Sequence, residues 1–195
     1  VGHRLRRNGR ARRPRILSIC LEPRPEIAAV LCGRPLMVTS GATPLEGLPG
    51  HTTCGEIDPS IPLLLEEKLG WGPEETNRVL TQESGLLGLA GRPLTMEEVL
   101  PSDAPPCPAA RALLEHRMLL ACGAGIAAMG GLDALVFSGR FASLGSAIGD
   151  WLRSALGCLQ RAGQPDPAIE RFPASIEQIV AEHVLARSNR RRWSA

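Results

Sequence analysis

The side chains of this chain that are best suited to binding a phosphorylated ligand follow the short apolar run Ala134–Phe137. The guanidinium of Arg140 is able to bind phosphate oxygens, because it is always charged and presents several N–H donors. The ring of Phe141 is able to stack on a base. The ordinary role of both side chains is to pack the loop that they occupy. Contact with a nucleotide is the alternative that the pair leaves open.

The remaining reactive side chains form no catalytic or metal-binding motif. Neither Ser84-Gly85 nor Ser138-Gly139 belongs to the G-x-S-x-G pattern of a nucleophilic serine. The four histidines are far apart and lack the spacing of metal ligands, and they are His3, His51, His116 and His183. The six cysteines are scattered without any C-x-x-C pair, and they are Cys20, Cys32, Cys54, Cys107, Cys122 and Cys158. Scattered thiols of this kind are typical of a reduced, cytoplasmic protein and predict no metal site.

Three short motifs stand close together in the middle of the chain. They are T-S-G-A-T-P-L-E-G-L-P-G-H-T-T-C-G-E-I-D-P from Thr39, D-P-S-I-P-L-L-L-E-E-K-L-G from Asp58 and E-S-G-L-L-G-L-A-G from Glu83. Together they resemble the acetate and propionate kinase family, which has T-S-M-G-F-T-P-L-E-G-L, G-T-R-[SC]-G-D-I-D-P, a helix and K-E-S-G-L-L-G-x-S-G in the same order. The agreement is specific, because several unusual motifs match in order over roughly fifty residues.

The resemblance implies a fold, an activity and cofactors. The fold is α/β, one half of an actin-like ATPase (ribonuclease H-like) fold with helices packed on a short mixed sheet. The activity is ATP-dependent phosphoryl transfer to a short-chain carboxylate, acetate or propionate, with ATP and magnesium as cofactors. Such transfer requires backbone amides around the phosphates, a metal ion held by carboxylates, and cationic donors for the transition state.

The decisive side chains of the family are replaced in this sequence. Thr53 stands where the family has its catalytic arginine, and a threonine cannot substitute for a charged bidentate donor. Thr95 and Glu97 stand where the family has an aspartate and an arginine, and Ile176 stands where it has a magnesium-binding glutamate. The resemblance therefore predicts no catalytic residue and no metal ligand at these positions.

Two phosphate-binding loops of the family are also altered. The hairpin H-L-G-N-G-A-S corresponds to residues 20–26, where Glu22 adds negative charge and Pro23 removes an amide donor. The nucleotide loop G-G-I-G-E-N-S corresponds to residues 139–145, where only the first glycine remains. Ser138, Gly139 and Arg140 are the candidate cofactor-binding residues that the resemblance leaves. We expect neither ATP nor magnesium to be bound tightly.

Three functional hypotheses follow from the resemblance. The first is an acetate kinase-like protein by descent that is truncated and catalytically impaired, because the family's motifs N-x-G-S-S-S-x-K and F-H-G-T-S-H do not occur in the sequence. The second is a non-catalytic interaction or dimerisation module derived from such a kinase. The third is a gene product without function. The expected partner is a second copy of the chain, since the family dimerises through its C-terminal domain, or an intact acetate kinase subunit.

Charge divides the chain into three parts. Residues 1–15 hold seven arginines and residues 187–195 hold four, without any acidic residue, while the region between carries 11 basic and 20 acidic side chains. An acidic body with basic ends does not resemble a nucleic-acid-binding domain, whose cations line one face. We therefore expect a disordered basic tail over 1–15, a kinase-like domain over 16–187 and a second basic tail over 188–195.

Hydrophobic patterns predict the order of the elements. A three-strand meander is expected over Ile16–Leu21, Ile27–Leu31 and Leu36–Val38, followed by helices from Asp58 to Leu69 and over Pro73–Gln82. A long helix over Ala109–Met129, a strand over Ala134–Phe137, a helix over Gly145–Ala162 and a last helix over Ser175–Arg187 complete the pattern. The apolar stretch Met118–Phe137 is long enough to span a membrane. We predict a helix and a buried strand instead, because Gly130-Gly131 is a helix stop.

Overall fold

A five-stranded mixed sheet forms the centre of the computed structural model, which describes residues 13–21, 24–43, 45–159 and 163–173. The strands lie in the order β3-β2-β1-β4-β5. The meander β1–β2–β3 is antiparallel, while β4 pairs in parallel with both β1 and β5. The strand bounds are β1 Arg15–Cys20, β2 Glu26–Leu31, β3 Arg34–Val38, β4 Ala134–Ser138 and β5 Ala168–Phe172. The predicted meander and the central positions of β1 and β4 are confirmed.

Among the described residues, five helices lie between β3 and β4 in the chain and one helix follows β4. They are α1 Ser60–Leu69, α2 Pro73–Gln82, α3 Gly85–Ala90, α4 Met96–Val99, α5 Cys107–Met129 and α6 Gly145–Ala155. Short 3₁₀ turns lie at Ala142–Leu144 and Gly157–Leu159. The predicted α/β class is therefore correct.

Helices α5 and α6 cover the same face of the sheet. Leu17, Leu135 and Ile169 are register partners on β1, β4 and β5, so their side chains share that face. A Cβ on Gly125 of α5 would lie 2.9 Å from Leu17, and one on Gly149 of α6 would lie 2.7 Å from Ile169. Glycine at these two positions allows both helices to approach the strands closely, and the core lies between them and the sheet.

Helix α5 is long and apolar enough to cross a membrane by length and composition alone. One side of it is buried in the core, however, through residues spaced four apart, namely Ala110, Leu114, Met118, Cys122 and Ile126. The helix ends at Gly130 (φ 72°), Gly131 follows with φ 135°, and the chain then enters β4. The predicted division of the stretch Met118–Phe137 into a helix and a buried strand is confirmed.

An ion pair joins the first strand to the turn before β4. The Arg15 guanidinium donates to both carboxylate oxygens of Asp133, at 3.1 and 2.7 Å, and to the carbonyl oxygen of Gly130 at 2.8 Å. The carboxylate in turn raises the pKa of Arg15. Asp133 also accepts the Arg15 amide at 2.8 Å. The one charge in the apolar stretch is therefore paired, as a mostly buried charge requires.

Several predicted elements differ from the structure. The helix expected over Gly145–Ala162 ends at Ala155, because the chain turns into a 3₁₀ segment at Gly157, a residue with low helix propensity. Helix α1 begins at Ser60 with Pro59 as its N-cap, so the expected start at Asp58 is wrong. Asp58 lies one residue before the cap, where its carboxylate accepts the Ser60 amide at 2.8 Å. Helices α3 and α4 and strand β5 were not predicted. The helix expected over Ser175–Arg187, the tail over 188–195, residues 1–12 of the first tail, Glu22, Pro23 and Ile176 lie outside the described residues. The end of the expected disordered first tail is wrong, because Arg15 begins β1 and pairs with Asp133.

Candidate functional site

Three loops meet at the carboxyl end of β4, the edge where ligands bind in open α/β sheets. The loop after β4 covers residues 139–144, the loop before α1 covers 50–58, and the turn before α4 covers 93–97. They include the sequence positions at which the family resemblance places the nucleotide loop, the catalytic arginine and the Asp and Arg pair. The structure therefore shows what surrounds each of the substituted residues.

Phe141 is the centre of the contact between these loops. Its ring is stacked on the imidazole of His51, with 6.4 Å between ring centroids and 14° between planes. The Arg140 guanidinium carbon lies 4.6 Å from the centroid of the same ring, in cation–π geometry. Phe141 is only 2% exposed, so its ring is closed to a base. The suggestion that Phe141 stacks on a nucleotide is wrong for this conformation, because the ring belongs to the core.

The three candidate cofactor-binding residues lie at the start of this loop. Ser138 is the last residue of β4 and is half-buried, while Gly139 is buried and has a φ of 83° that favours glycine. Arg140 is exposed, with its guanidinium against Phe141. The structure thus brings all three to one sheet edge, and their binding of a cofactor stays a prediction.

His51 is a site residue that sequence reasoning missed. It is half-buried, and its Nε2 atom is buried with no hydrogen-bond partner among the described residues. Burial lowers the pKa of His51, the positive charge of Arg140 lowers it further, and Glu97 opposes the shift. The histidine is therefore neutral near pH 7. His51 lies two residues before Thr53, where the family motif G-T-R has its glycine. This substitution was the sequence signal that could have identified it.

Thr53 lies inside the protein and does not face an open site. It is 3% exposed, and its hydroxyl oxygen has no partner within the described part of the chain. Its backbone carbonyl accepts the Gly50 amide at 3.0 Å. A side chain on Gly85 would come within 2.6 Å of that same carbonyl, so the loop packs directly against the start of α3.

Backbone hydrogen bonds hold the loop of His51 and Thr53 to α3. The amides of Ser84, Leu86 and Leu87 donate to the carbonyls of Thr52, Gly50 and His51, at 3.0, 3.0 and 2.9 Å. Such bonds make the loop part of the scaffold. The buried position of Thr53 is therefore fixed by the backbone and not by its own side chain.

Thr95 and Glu97 have separate roles in the turn before α4. The Thr95 hydroxyl accepts the Glu98 amide at 3.2 Å and caps α4. Glu97 is exposed, and its carboxylate is near enough to His51 to raise the pKa of the imidazole. Thr95 is thus a structural replacement for the family's aspartate, and Glu97 brings negative charge to the position of the family's arginine.

A small apolar cavity of about 120 Å³ has one residue of the three loops, Met96, in its lining. Its walls come from α4, α5, α6 and the end of β1, and include Met96, Leu114, Ile148 and Trp151. The single charged residue in its lining is Glu115. The cavity therefore offers no cation for a phosphate group.

The loop after β4 lacks most of the backbone access to phosphate that the resemblance implies. The buried ring of Phe141 occupies the loop, and Gly139 alone remains of its glycines, with Arg140 and Ala142 at the other two positions. Within the described residues, no group of three His, Cys, Asp or Glu side chains is placed to hold a metal ion.

Comparison with known proteins gives the evolutionary relation. The sequence model of the Acetokinase family matches residues 14–171, which is most of the chain. The chain belongs to the acetokinase family. Acetate kinase from Rhodopseudomonas palustris is 33% identical over 175 residues, covering 81% of this chain and 44% of that protein. Propionate kinase from Citrobacter rodentium is 35% identical over 128 residues, covering 64% of this chain and 32% of that protein.

Solved structures of the family share the fold. Porphyromonas gingivalis acetate kinase superposes with a TM-score of 0.78 at 22% identity, over 94% of this chain and 52% of that chain. A propionate kinase from Francisella tularensis gives a TM-score of 0.74 at 24% identity, over 91% and 50% of the two chains. The chain thus spans about half the length, or less, of the relatives it matches, and the predicted half of an actin-like fold is confirmed.

Proposed function

We propose that this chain is a non-catalytic member of the acetokinase family, which does not by itself transfer a phosphoryl group from ATP to acetate or propionate. The observation that carries the proposal is the burial of Thr53, at the position of the family's arginine, within a loop bonded to α3. Loss of one transition-state donor typically costs on the order of 10²–10³ in rate.

The altered charge of the site supports the same conclusion. Glu97 stands where the family has an arginine, and the Arg140 guanidinium lies over the Phe141 ring. A phosphate dianion would meet the Glu97 carboxylate at a position where the family has a cation. ATP and magnesium are the cofactors that the family implies, and for this chain we propose that neither is bound tightly.

Two assays of the purified chain test this proposal. A hydroxamate assay with acetate, ATP and magnesium should give no acetyl phosphate, with intact Rhodopseudomonas palustris acetate kinase as the positive control. Isothermal calorimetry should give a dissociation constant for ATP–magnesium weaker than about 1 mM. Micromolar binding, or turnover above the rate without enzyme, would contradict the proposal.

An interaction role is the second candidate function, and one observation favours it. Helix α1 exposes four large apolar side chains, and none of its residues is buried. Surfaces of this kind usually mark a contact with another protein. We propose in addition that the chain is cytoplasmic and that it binds a partner subunit.

A further inference from the structure

The apolar cavity between α4, α5 and α6 has a buried interior and a rim that reaches the surface. Its volume is about 120 Å³. Half of the residues that line it are apolar and at most 6% exposed, namely Leu21, Met96, Leu114, Met118 and Ile148. Ala147 in the same lining is exposed, and Glu115 and Trp151 are partly exposed. A small molecule could therefore enter from solvent and place its apolar part inside.

The carboxylate of Glu115 lies at this rim and has no hydrogen bond or ion pair among the described residues. Arg111 is one turn earlier on α5, at a spacing that allows a pair within a helix. Its guanidinium is bound elsewhere, however, to the carbonyl oxygens of Leu100 and Ser102 at 2.7 and 3.2 Å and to the Asp103 carboxylate at 2.7 Å. A carboxylate beside an apolar cavity without a cation of its own is suited to a cationic donor from a ligand.

The other side chains of the cavity suit a single ring. The indole of Trp151 offers a flat apolar surface for ring packing and an electron-rich face for a cation. The thioethers of Met96 and Met118 are flexible and make favourable contacts with aromatic rings. An apolar cavity of about 150 Å³ is known to hold one benzene molecule. The similar volume here therefore sets the size of the ligand at about one ring.

We propose that this cavity binds a small primary amine that carries one apolar ring. The ring lies among the buried side chains, and the ammonium group donates hydrogen bonds to the Glu115 carboxylate at the rim. The excess of acidic over basic side chains in the region between the two tails, 20 against 11, favours a cationic ligand over an anionic one. This site goes beyond the proposed non-catalytic function and does not depend on it.

Isothermal calorimetry of the full chain with three ligands of the same shape tests the proposal. The ligands are phenethylamine, which is protonated at pH 7 as lysine is, the neutral phenethyl alcohol and the anionic phenylpropionate. We expect a dissociation constant for the amine between about 10 µM and 1 mM, as for a ligand of this size. The alcohol should bind about 10-fold more weakly, because it cannot form a charged hydrogen bond, and the anion should not bind. Equal affinities for the amine and the alcohol, or no saturable binding of the amine, overturn the proposal.

A charge-removing variant tests the role of the carboxylate. Glu115→Gln should weaken binding of the amine by about 10-fold and leave binding of the alcohol unchanged, because it removes the charge and keeps the shape. Glu66→Gln is the matched control, since Glu66 lies on α1, outside the cavity. An equal loss for amine and alcohol in Glu115→Gln would mean that the side chain only shapes the cavity, and this overturns its assigned role.

A cavity-filling variant tests the location. Ala147→Leu should weaken binding of both the amine and the alcohol by about 10-fold or more, because the larger side chain occupies the rim of the cavity. Ala112→Leu is the matched control, since Ala112 is an exposed alanine of α5 that does not line the cavity. Circular dichroism checks that each variant is folded. Amine affinity that survives Ala147→Leu in a folded protein would place the ligand elsewhere and overturn this site, while the proposed non-catalytic function would stand.

Discussion

Thr52 and Thr53 are adjacent, and Thr53, at the position of the family's arginine, is buried in the loop. Thr52 donates its hydroxyl to the Thr81 carbonyl at 2.9 Å, whereas the buried hydroxyl of Thr53 has no partner among the described residues. A buried hydroxyl without a partner opposes folding, while a bonded one contributes about 1 kcal/mol. The same residue type therefore has opposite effects on stability at adjacent positions.

Replacing each threonine with isosteric valine tests this difference. Thr53→Val should raise the free energy of unfolding by about 1 kcal/mol, because it removes an unsatisfied polar group and keeps the packing. Thr52→Val should lower that free energy by a similar amount, since the Thr81 carbonyl loses its donor. Urea denaturation of both variants measures the effect. A loss of stability in Thr53→Val would mean that its hydroxyl has a partner, such as a bound water or ligand.

His51 should make stability depend on pH. Its folded pKa is below the ordinary value of about 6.5, so the unfolded chain binds more protons near that pH. The stabilisation is present above pH 6.5 and is lost as pH falls through the lowered pKa. His51→Gln should flatten the dependence between about pH 7.5 and 5.5, measured by urea denaturation. His116→Gln, at an exposed site on α5, is the control, and an equal change in both variants would contradict this assignment.

At the scale of elements, the start of α3 is the most restricted backbone in the site. Gly85 has φ 60°, and a Cβ there would lie 2.3 Å from the Gly50 carbonyl and 2.6 Å from that of Thr53. Gly91, which ends the same helix, has φ 68° but open space where a Cβ would be. The two glycines thus share a conformation and differ in their surroundings.

Alanine at these two positions separates strain from steric clash. Gly91→Ala should lower the free energy of unfolding by about 1 kcal/mol, the cost of a left-handed conformation in a non-glycine residue. Gly85→Ala should cost more than about 2 kcal/mol, because two backbone carbonyls must also move. Thermal and urea unfolding measure both. Equal losses in the two variants would show that α3 does not press on the loop of Thr53.

The elements that sequence patterns predicted are those with strong local signals. Strands β1 and β4 are mostly apolar, and α5 is followed by a glycine pair, so each could be located from sequence alone. Strand β5 could not, because A-I-E-R-F places Glu170 and Arg171 in the strand and its pairing with β4 is long-range. The stack of His51 on Phe141 joins residues ninety positions apart, which no local pattern can predict.

At the scale of the whole molecule, stability should be distributed unevenly. Strands β1 and β4 and helix α5 contribute many of the core residues, including Leu17, Ile19, Leu135 and Phe137. Helices α1 and α2 contain no buried residue. Elements with few buried apolar contacts open without global unfolding. The sheet and the α1–α2 hairpin are therefore expected to differ in local stability.

Native-state hydrogen exchange tests this distribution. Amides of α1 and α2 should exchange through local openings, and those of β1 and β4 only near global unfolding. Helix α5, most of whose inner face is buried, should exchange as slowly as the two strands and serves as the internal control. If α1 exchanges as slowly as β4, stability is not distributed unevenly in this way.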